Sequence, residues 1–406
     1  MYIHKDFPGG NINLISISAN KIQLEQEIRD TTEWWFYWSF CVENPSAGEY
    51  LFEFTNGDVI GPWGPAVSFD RITWDWSFTA ASRSSFTFTF TGVESRVYFS
   101  FSLPYQLADF HRRIVGFNCQ SKSPASKSRV GGRLNLLTDQ SKSPASKSRV
   151  DGGLNSLTEN VIISEFTISE KGRKIPLLRF GDGIRNIFFT ARSHACESVA
   201  NYVLEGVITS LLKSGNEKIR EDYTFHVIPF LDIDGVEEGD QGKCRDPHDH
   251  NRDYTDKPIY NAISALMDYT LKYKPLLYID FHCPGPGFHR YASGSDRDNY
   301  PHFVKSQPSV KAQIEKLGFI LHEITLNNKN SNPILYTPEH DIDIGVDWLI
   351  PEEMIGSSCS FFVSQGAKLS VILEMPYFGT RDCIYTRDNT FNFGIDFGKA
   401  IMRYLS

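Results

Sequence analysis

The chain has 406 residues, 41% of them apolar, which is enough for about two or three domains with ordinary globular cores. Its net charge of −8, from 41 basic and 49 acidic side chains, leaves no basic excess to neutralise phosphates and so excludes general nucleic-acid binding. No apolar run approaches the ~18–20 residues that a membrane-spanning helix needs, so no membrane partner is expected.

The first 103 residues read as all-β. "WWFYWSFCV" and "SFTFTFTGVESRVYFSFSL" are rich in aromatic and β-branched residues with stretches of period-two alternation, and "FTNGDVIGPWGPAVS" supplies turns between strands. We expect an N-terminal β-sandwich over 1–103. The aromatic run Trp34, Trp35, Phe36, Tyr37 and Trp38 reads as core on one face and as packing against a second domain on the other, in preference to a stacking platform for sugars or bases. "PYQLADFHRRIVGF" reads as helical, with Leu107, Phe110 and Ile114 at helical spacing. "QSKSPASKSRV" then occurs twice, from Gln120 and from Gln140. Two copies are too few for a solenoid, and the Ser- and Lys-rich composition buries little, so 104–159 reads as a helix followed by a duplicated surface insertion. A basic docking strip or a phosphorylation site is the functional alternative for it.

From 160 to 406 the texture changes to alternating strands and helices. "VIISEFTIS", "KIPLLRFG", "NIFFTA", "YTFHVIPFLD", "PLLYIDFH", "GFILHEITL" and "KLSVILEMPY" are predicted strands. "ESVANYVLEGVITSLLKSG" and "IYNAISALMDYTLKYK" are predicted helices. That pattern implies an α/β domain with a mixed, mainly parallel sheet flanked by helices, in which ligands sit beyond the carboxyl ends of strands.

Chemistry-bearing residues follow those strands. His194 and Glu197 come after "NIFFTA", His282 closes "PLLYIDFH", Asn251 and Arg252 lie in the long loop after "FHVIPFLDIDG", and Glu374 closes "KLSVILE". A lone histidine at a strand end is usually structural; matched residues at several strand ends are harder to dismiss. The seven cysteines, Cys41, Cys119, Cys196, Cys244, Cys283, Cys359 and Cys383, are scattered and never spaced as Cys-x-x-Cys, so a zinc ion would be held by histidine and carboxylate. Two histidines and a glutamate are a common ligand set for one catalytic zinc, which lowers the pKa of bound water to ~7. Glu374 is then the candidate to move the water's proton. Arg252 offers a planar fork for a substrate carboxylate, with the Asn251 amide beside it.

His-x-x-Glu, an Asn-Arg pair, a His after a strand and a Glu before an aromatic-containing turn together resemble the zinc carboxypeptidases (carboxypeptidase A-like), and "FLDIDGVEEGDQGKCRDPHDHNRDY" is similar to that family's segment leading to Asn-Arg. The all-β region ahead of the catalytic domain points to the cytosolic carboxypeptidase subfamily and its bacterial relatives. The resemblance covers roughly 160–390 well and the N-terminal region loosely. It implies one zinc on His194, Glu197 and His282, a grip on the substrate's terminal carboxylate by Asn251 and Arg252, Glu374 as general base, and Asp249 orienting His194. The family's carbonyl-polarising arginine falls in "GDQGKCRDPH", where Lys243 and Arg245 both remain open. Its mobile tyrosine has no clear counterpart; Tyr336 lies further back than the motif's spacing.

Neighbouring residues take plainer readings. His248 and His250 are expected on the surface of the Asn-Arg loop, Cys196 in packing, His289 and Arg290 along the pocket, and Cys359 in the pocket for the terminal side chain. The expected activity is a zinc-dependent metallocarboxypeptidase acting on peptide or protein tails with a free carboxylate. The rivals are a zinc amidohydrolase that deacylates small N-acyl amino acids and a non-catalytic peptide-binding protein. The opening "MYIHKDFPGG" lacks a secretory signal pattern, and the scattered thiols fit a reducing compartment, so a cytoplasmic location is expected.

Overall fold

The first nine strands form two sheets. They are β1 (Tyr2–His4), β2 (Asn13–Ser18), β3 (Lys21–Glu25), β4 (Ser39–Glu43), β5 (Gly48–Phe54), β6 (Ala66–Ser68), β7 (Asp75–Trp76), β8 (Ser85–Phe90) and β9 (Arg96–Ser100). One sheet has the order β1-β4-β9-β6-β7 and the other β2-β3-β5-β8. Alternation explains why they stack: in β5, Tyr50, Phe52 and Phe54 are buried while the residues between them are half-buried or exposed. Phe52 and Phe86 of one sheet meet Phe40 and Phe99 of the other, with ring centroids 5.4 to 5.7 Å apart. The result is an aromatic sandwich core. The computed structural model describes residues 1–31, 34–115, 161–286, 299–346 and 351–406, without the side chains of 115, 351 and 353; the duplicated insertion lies outside the described residues.

The second region contains β10 (Ile162–Ile168), β11 (Lys174–Phe180), β12 (Arg185–Ala191), β13 (Tyr223–Ile228), β14 (Pro275–His282), β15 (His302–Lys305), β16 (Ile342–Asp343) and β17 (Leu369–Glu374). These make one mixed sheet in the order β10-β11-β13-β12-β14-β17-β15-β16. The central pairs β13–β12, β12–β14 and β14–β17 are parallel. All six residues of β13 and of β17 are buried, as expected of strands covered on both faces. The helices Ser198–Leu212, Asn261–Lys272, Ser358–Ser364 and Arg387–Leu405 accompany the sheet. Among the described residues no helix is long and apolar enough to cross a membrane.

One predicted strand is a helix. "GFILHEITL" lies inside the helix Lys311–Leu326, where Ile314, Leu317, Leu321 and Thr325 are buried while Phe319 and Leu326 are exposed. That spacing is helical; the short apolar run "GFIL" imitated a strand because periodicity alone does not separate short apolar runs. Gly318 is small for a packing reason: a Cβ there would lie 2.6 Å from the Tyr336 hydroxyl.

Candidate metal centre and catalytic pocket

Three adjacent parallel strands bring the site together at their carboxyl ends. The chain leaves β12 at Ala191 and turns through Arg192, whose buried guanidinium donates to the carbonyls of Ala195 (2.9 Å) and Tyr105 (2.7 Å). This turn delivers His194 and Glu197 immediately ahead of the helix Ser198–Leu212. His282 is the last residue of β14 and Glu374 the last of β17, and their Cα atoms are register partners.

The side chains of His194, Glu197 and His282 converge. One ligand atom from each lies within 4.8 Å of the others. His194 Nδ1 is 2.8 Å from Glu197 Oε1, and His282 Nδ1 is 3.0 Å from Glu197 Oε2. The two Nδ1 atoms are 3.3 Å apart. Each imidazole has a carboxylate on its far side: Asp249 Oδ2 at 3.5 Å from His194 Nε2, and Asp280 Oδ2 at 2.9 Å from His282 Nε2. Asp280 is itself held by the hydroxyls of Thr190 (2.6 Å) and Ser358 (2.8 Å). Asp249 accepts from the backbone N–H of Asn251 (2.9 Å) and of Cys244 (3.2 Å).

Charge follows from this packing. Burial pushes both imidazoles towards neutrality, but Glu197 and Asp249 outweigh it at His194, and Asp280 and Glu197 hold His282 well above the ordinary range. Burial opposes ionisation of Glu197 too, yet Lys243, His194 and His282 hold it well below the usual carboxylate range. Glu374 goes the other way: burial, with Glu197 adding to it, pushes its carboxyl up to about 7. Glu374 Oε2 is buried with no hydrogen-bond partner among the described residues. Two Nδ1 atoms facing each other and one carboxylate would repel if both carried protons. The donor set, two imidazoles and a carboxylate with further carboxylates behind the rings, fits a zinc ion.

These side chains open onto a cavity of about 400 Å³ that also takes in Lys243, Asp249, Asn251, Arg252 and Trp34. Lys243 Nζ donates to the Cys283 carbonyl (3.0 Å) and pairs with Glu197. Arg245 is turned elsewhere. Its guanidinium sits among Asp30, Asp232 (2.7 Å) and Asp240 (3.1 Å) and is not part of the cavity wall. Of the two cations left open by the sequence, the structure brings Lys243 to the site and ties Arg245 into an acidic cluster. Asn251 Oδ1 accepts from Ser358 N (3.0 Å), so its Nδ2 is the group it offers elsewhere. Arg252 has no carboxylate within 4.0 Å among the described residues.

Several neighbours differ from expectation. His250 is buried and stacks on Tyr260 at 3.7 Å, rather than lying on the surface; His248 meets Asp253 at 2.7 Å. The Tyr336 hydroxyl donates to Asp341 (2.8 Å), outside the cavity wall. Cys359 is buried in the helix Ser358–Ser364 and does not line the cavity. Cys196 packs beside the Tyr377 hydroxyl at 3.4 Å. His289 and Arg290 lie outside the described residues. Sequence reasoning missed Asp280, His302, Gln241 and the pocket position of Trp34. Asp280 had a signal, since period two in "YIDFH" puts it on the face of His282. In a second cluster, His4, Cys41 and Glu43, His4 Nδ1 accepts from Asp6 N at 3.2 Å and Glu43 pairs with Arg96 at 2.7 Å, while His4 Nε2, 3.5 Å from Glu43 Oε1, has no hydrogen-bond partner among the described residues.

Comparison with known proteins finds relatives in sequence and in fold. The zinc carboxypeptidase family model matches residues 155–262, and the cytosolic carboxypeptidase N-terminal domain model matches 3–102. An uncharacterized protein of Zymomonas mobilis is 24% identical over 246 residues, 58% of this chain and 54% of that protein. Cytosolic carboxypeptidase 1 of Gallus gallus is 34% identical over 106 residues, 24% of this chain and 9% of that protein. The chain thus spans about half of the first relative and a small part of the second. Among solved structures, a metallo-carboxypeptidase from Burkholderia cenocepacia gives a TM-score of 0.73 at 16% identity, covering 100% of this chain and 98% of that one. The metallo-carboxypeptidase from Pseudomonas aeruginosa, solved with (2-guanidinoethylmercapto)succinic acid, gives 0.69 at 16%, covering 100% and 99%. The fold is shared along the whole chain.

Proposed function

The chain belongs to the zinc carboxypeptidase family, and from that premise we propose that it is a metallocarboxypeptidase that removes C-terminal residues from peptides or protein tails. The observation that carries this reading is the convergence of His194 Nδ1, Glu197 and His282 Nδ1, with both imidazoles and Glu374 lining one cavity.

Zinc held by His194, Glu197 and His282 would supply Lewis acidity, acidifying water and polarising the scissile carbonyl. The residues around it have separable tasks. Glu374, buried and biased towards holding a proton, takes one from the attacking water and returns it to the leaving nitrogen. Lys243, anchored by the Cys283 carbonyl, places a positive charge where the carbonyl oxygen turns negative. Arg252 and the Asn251 amide hold the substrate's terminal carboxylate, which fixes which peptide bond meets the zinc. Asp249 and Asp280 keep the two imidazoles turned with Nδ1 inward. The free thiols of the described cysteines and the likeness to cytosolic carboxypeptidases support a cytoplasmic location.

The test is Glu374→Gln, which keeps zinc stoichiometry while turnover of a C-terminal peptide panel falls ~100–10,000-fold. Full activity in that variant would remove Glu374 from the mechanism. Cleavage of N-acyl amino acids in place of peptides would replace the carboxypeptidase reading with the amidohydrolase one.

A further inference from the structure

The site is not built by the α/β region alone. We propose that the N-terminal β region completes it: Gln241 is a positioning residue that locks residues 34–37 against the loop carrying Lys243, and Trp34 is a wall of the cavity that touches bound peptide. This rests on the carboxypeptidase reading above.

Gln241 is buried at 2% exposure, and both polar groups of its side chain are used. Its side-chain oxygen accepts from Phe36 N (2.7 Å) and Tyr37 N (3.3 Å), and its Nε2 donates to the Trp34 carbonyl (3.0 Å). Its own carbonyl accepts from Cys196 N (3.0 Å), the residue between His194 and Glu197. One glutamine therefore joins the N-terminal aromatic segment to the turn that carries two proposed ligands. The next residue presses the same contact. Gly242 has φ +78°, and a Cβ there would lie 2.4 Å from Ala195 N, so only glycine lets the loop approach so closely. Lys243 follows at once, its amine against Glu197 and the Cys283 carbonyl.

The same loop is clamped on its flanks. Asn11 Nδ2 donates to the Gly239 carbonyl (2.9 Å), Arg29 pairs with Asp240 (2.6 Å), and Asp246 N donates to the Asp30 carbonyl (3.0 Å). Arg245 reaches Asp30 as well. The 239–246 segment is therefore set by contacts with the N-terminal region on both sides of Lys243. Trp34 is where that region reaches the cavity: it shares the wall with Lys243, Cys244 and Arg252 and is 37% exposed, whereas Trp35 and Trp38 are buried. An indole at a cavity wall offers a large apolar face at little conformational cost.

The experiment uses the full zinc-loaded chain. Binding of a peptide with a free C-terminus is measured by calorimetry in the Glu374→Gln background, where turnover does not interfere. Trp34→Ala weakens binding ~10-fold, and Trp34→Phe recovers most of that loss, with zinc content and melting temperature unchanged in both. With Glu374 intact, Gln241→Met lowers kcat ~10-fold while KM moves little, because a displaced Lys243 fails the transition state more than the ground state. Unaltered peptide affinity in Trp34→Ala would overturn the proposal while leaving the carboxypeptidase reading standing. Absence of any peptide binding by the Glu374→Gln parent would sink both. If Gln241→Met does not fold, the Trp34 pair still decides.

Discussion

His226 and His282 lie on strands that flank β12 on opposite sides, both with imidazoles deep in the sheet, and they have opposite chemistry. His226 stacks on Phe188 at 4.7 Å, near Tyr269 and Tyr273, and its two nitrogens meet the neutral partners Tyr269 Oη and Asn186 Oδ1, each at 3.0 Å. Burial, with Arg179 adding to it, pushes it down to about 3. His282 is buried as well, but Asp280 and Glu197 flank it and hold it well above the ordinary range. Burial alone makes a neutral, structural histidine. Carboxylates on both sides make an imidazole that attracts positive charge, whether a proton or a metal ion.

The largest expected effect comes from the neutral member. Its folded-state pKa is depressed to about 3, below the unfolded value of ~6.5. Its stabilising contribution is therefore fully present above ~6.5 and is lost as the pH falls towards 3. The slope is about 1.4 kcal/mol per pH unit through that window, so several kcal/mol are at stake. Urea unfolding at pH 7 and pH 4 should show it, and His226→Gln should flatten the acid limb. An unchanged limb in that variant would place the acid sensitivity elsewhere.

The comparison also shows what was legible in the sequence. His194, Glu197, His282 and Glu374 were found because each follows a strand, and parallel strands deliver their carboxyl ends to one edge. The same rule was silent on His226, which lies mid-strand and has no site to serve. Asp280 was legible from alternation but overlooked. Gln241 and Trp34 were not legible: their importance lies in contacts over 204 to 207 residues of sequence separation, which no local pattern encodes. The choice between Lys243 and Arg245 also needed the fold: Lys243 lines the cavity and pairs with Glu197, whereas Arg245 is tied to Asp30, Asp232 and Asp240 away from the cavity wall. The helix Lys311–Leu326 was misread because a short apolar run fits a strand and a helix alike.

A smaller effect is expected from removing the carboxylate behind His282. Asp280→Asn keeps the shape and one acceptor oxygen, for Thr190 or for Ser358, but takes the negative charge from beside the ring. Zinc affinity should fall ~10–100-fold, measured by competition with a chromophoric chelator, with the fold intact by circular dichroism. Unaltered zinc affinity would mean that Glu197 alone accounts for the imidazole's preference, and the difference from His226 would then reduce to one carboxylate.

The smallest effect runs the comparison in reverse. Asn186→Asp would set a carboxylate about where Asn186 Oδ1 now lies, 3.0 Å from His226 Nε2. An opposite charge at that range raises an imidazole's pKa by ~1–3 units, which NMR titration of the ring protons can follow. The variant also loses the hydrogen bond from Asn186 Nδ2 to the Lys274 carbonyl, at a cost of about 1 kcal/mol, so the comparison is made on the pH slope of stability and not on its absolute value. A raised pKa with a shallower acid limb would show that one carboxylate moves a structural histidine towards the behaviour of His282. A pKa still near 3 would show that the aromatic packing around His226 outweighs the added charge, and that His226 and His282 differ by their apolar walls as much as by their partners.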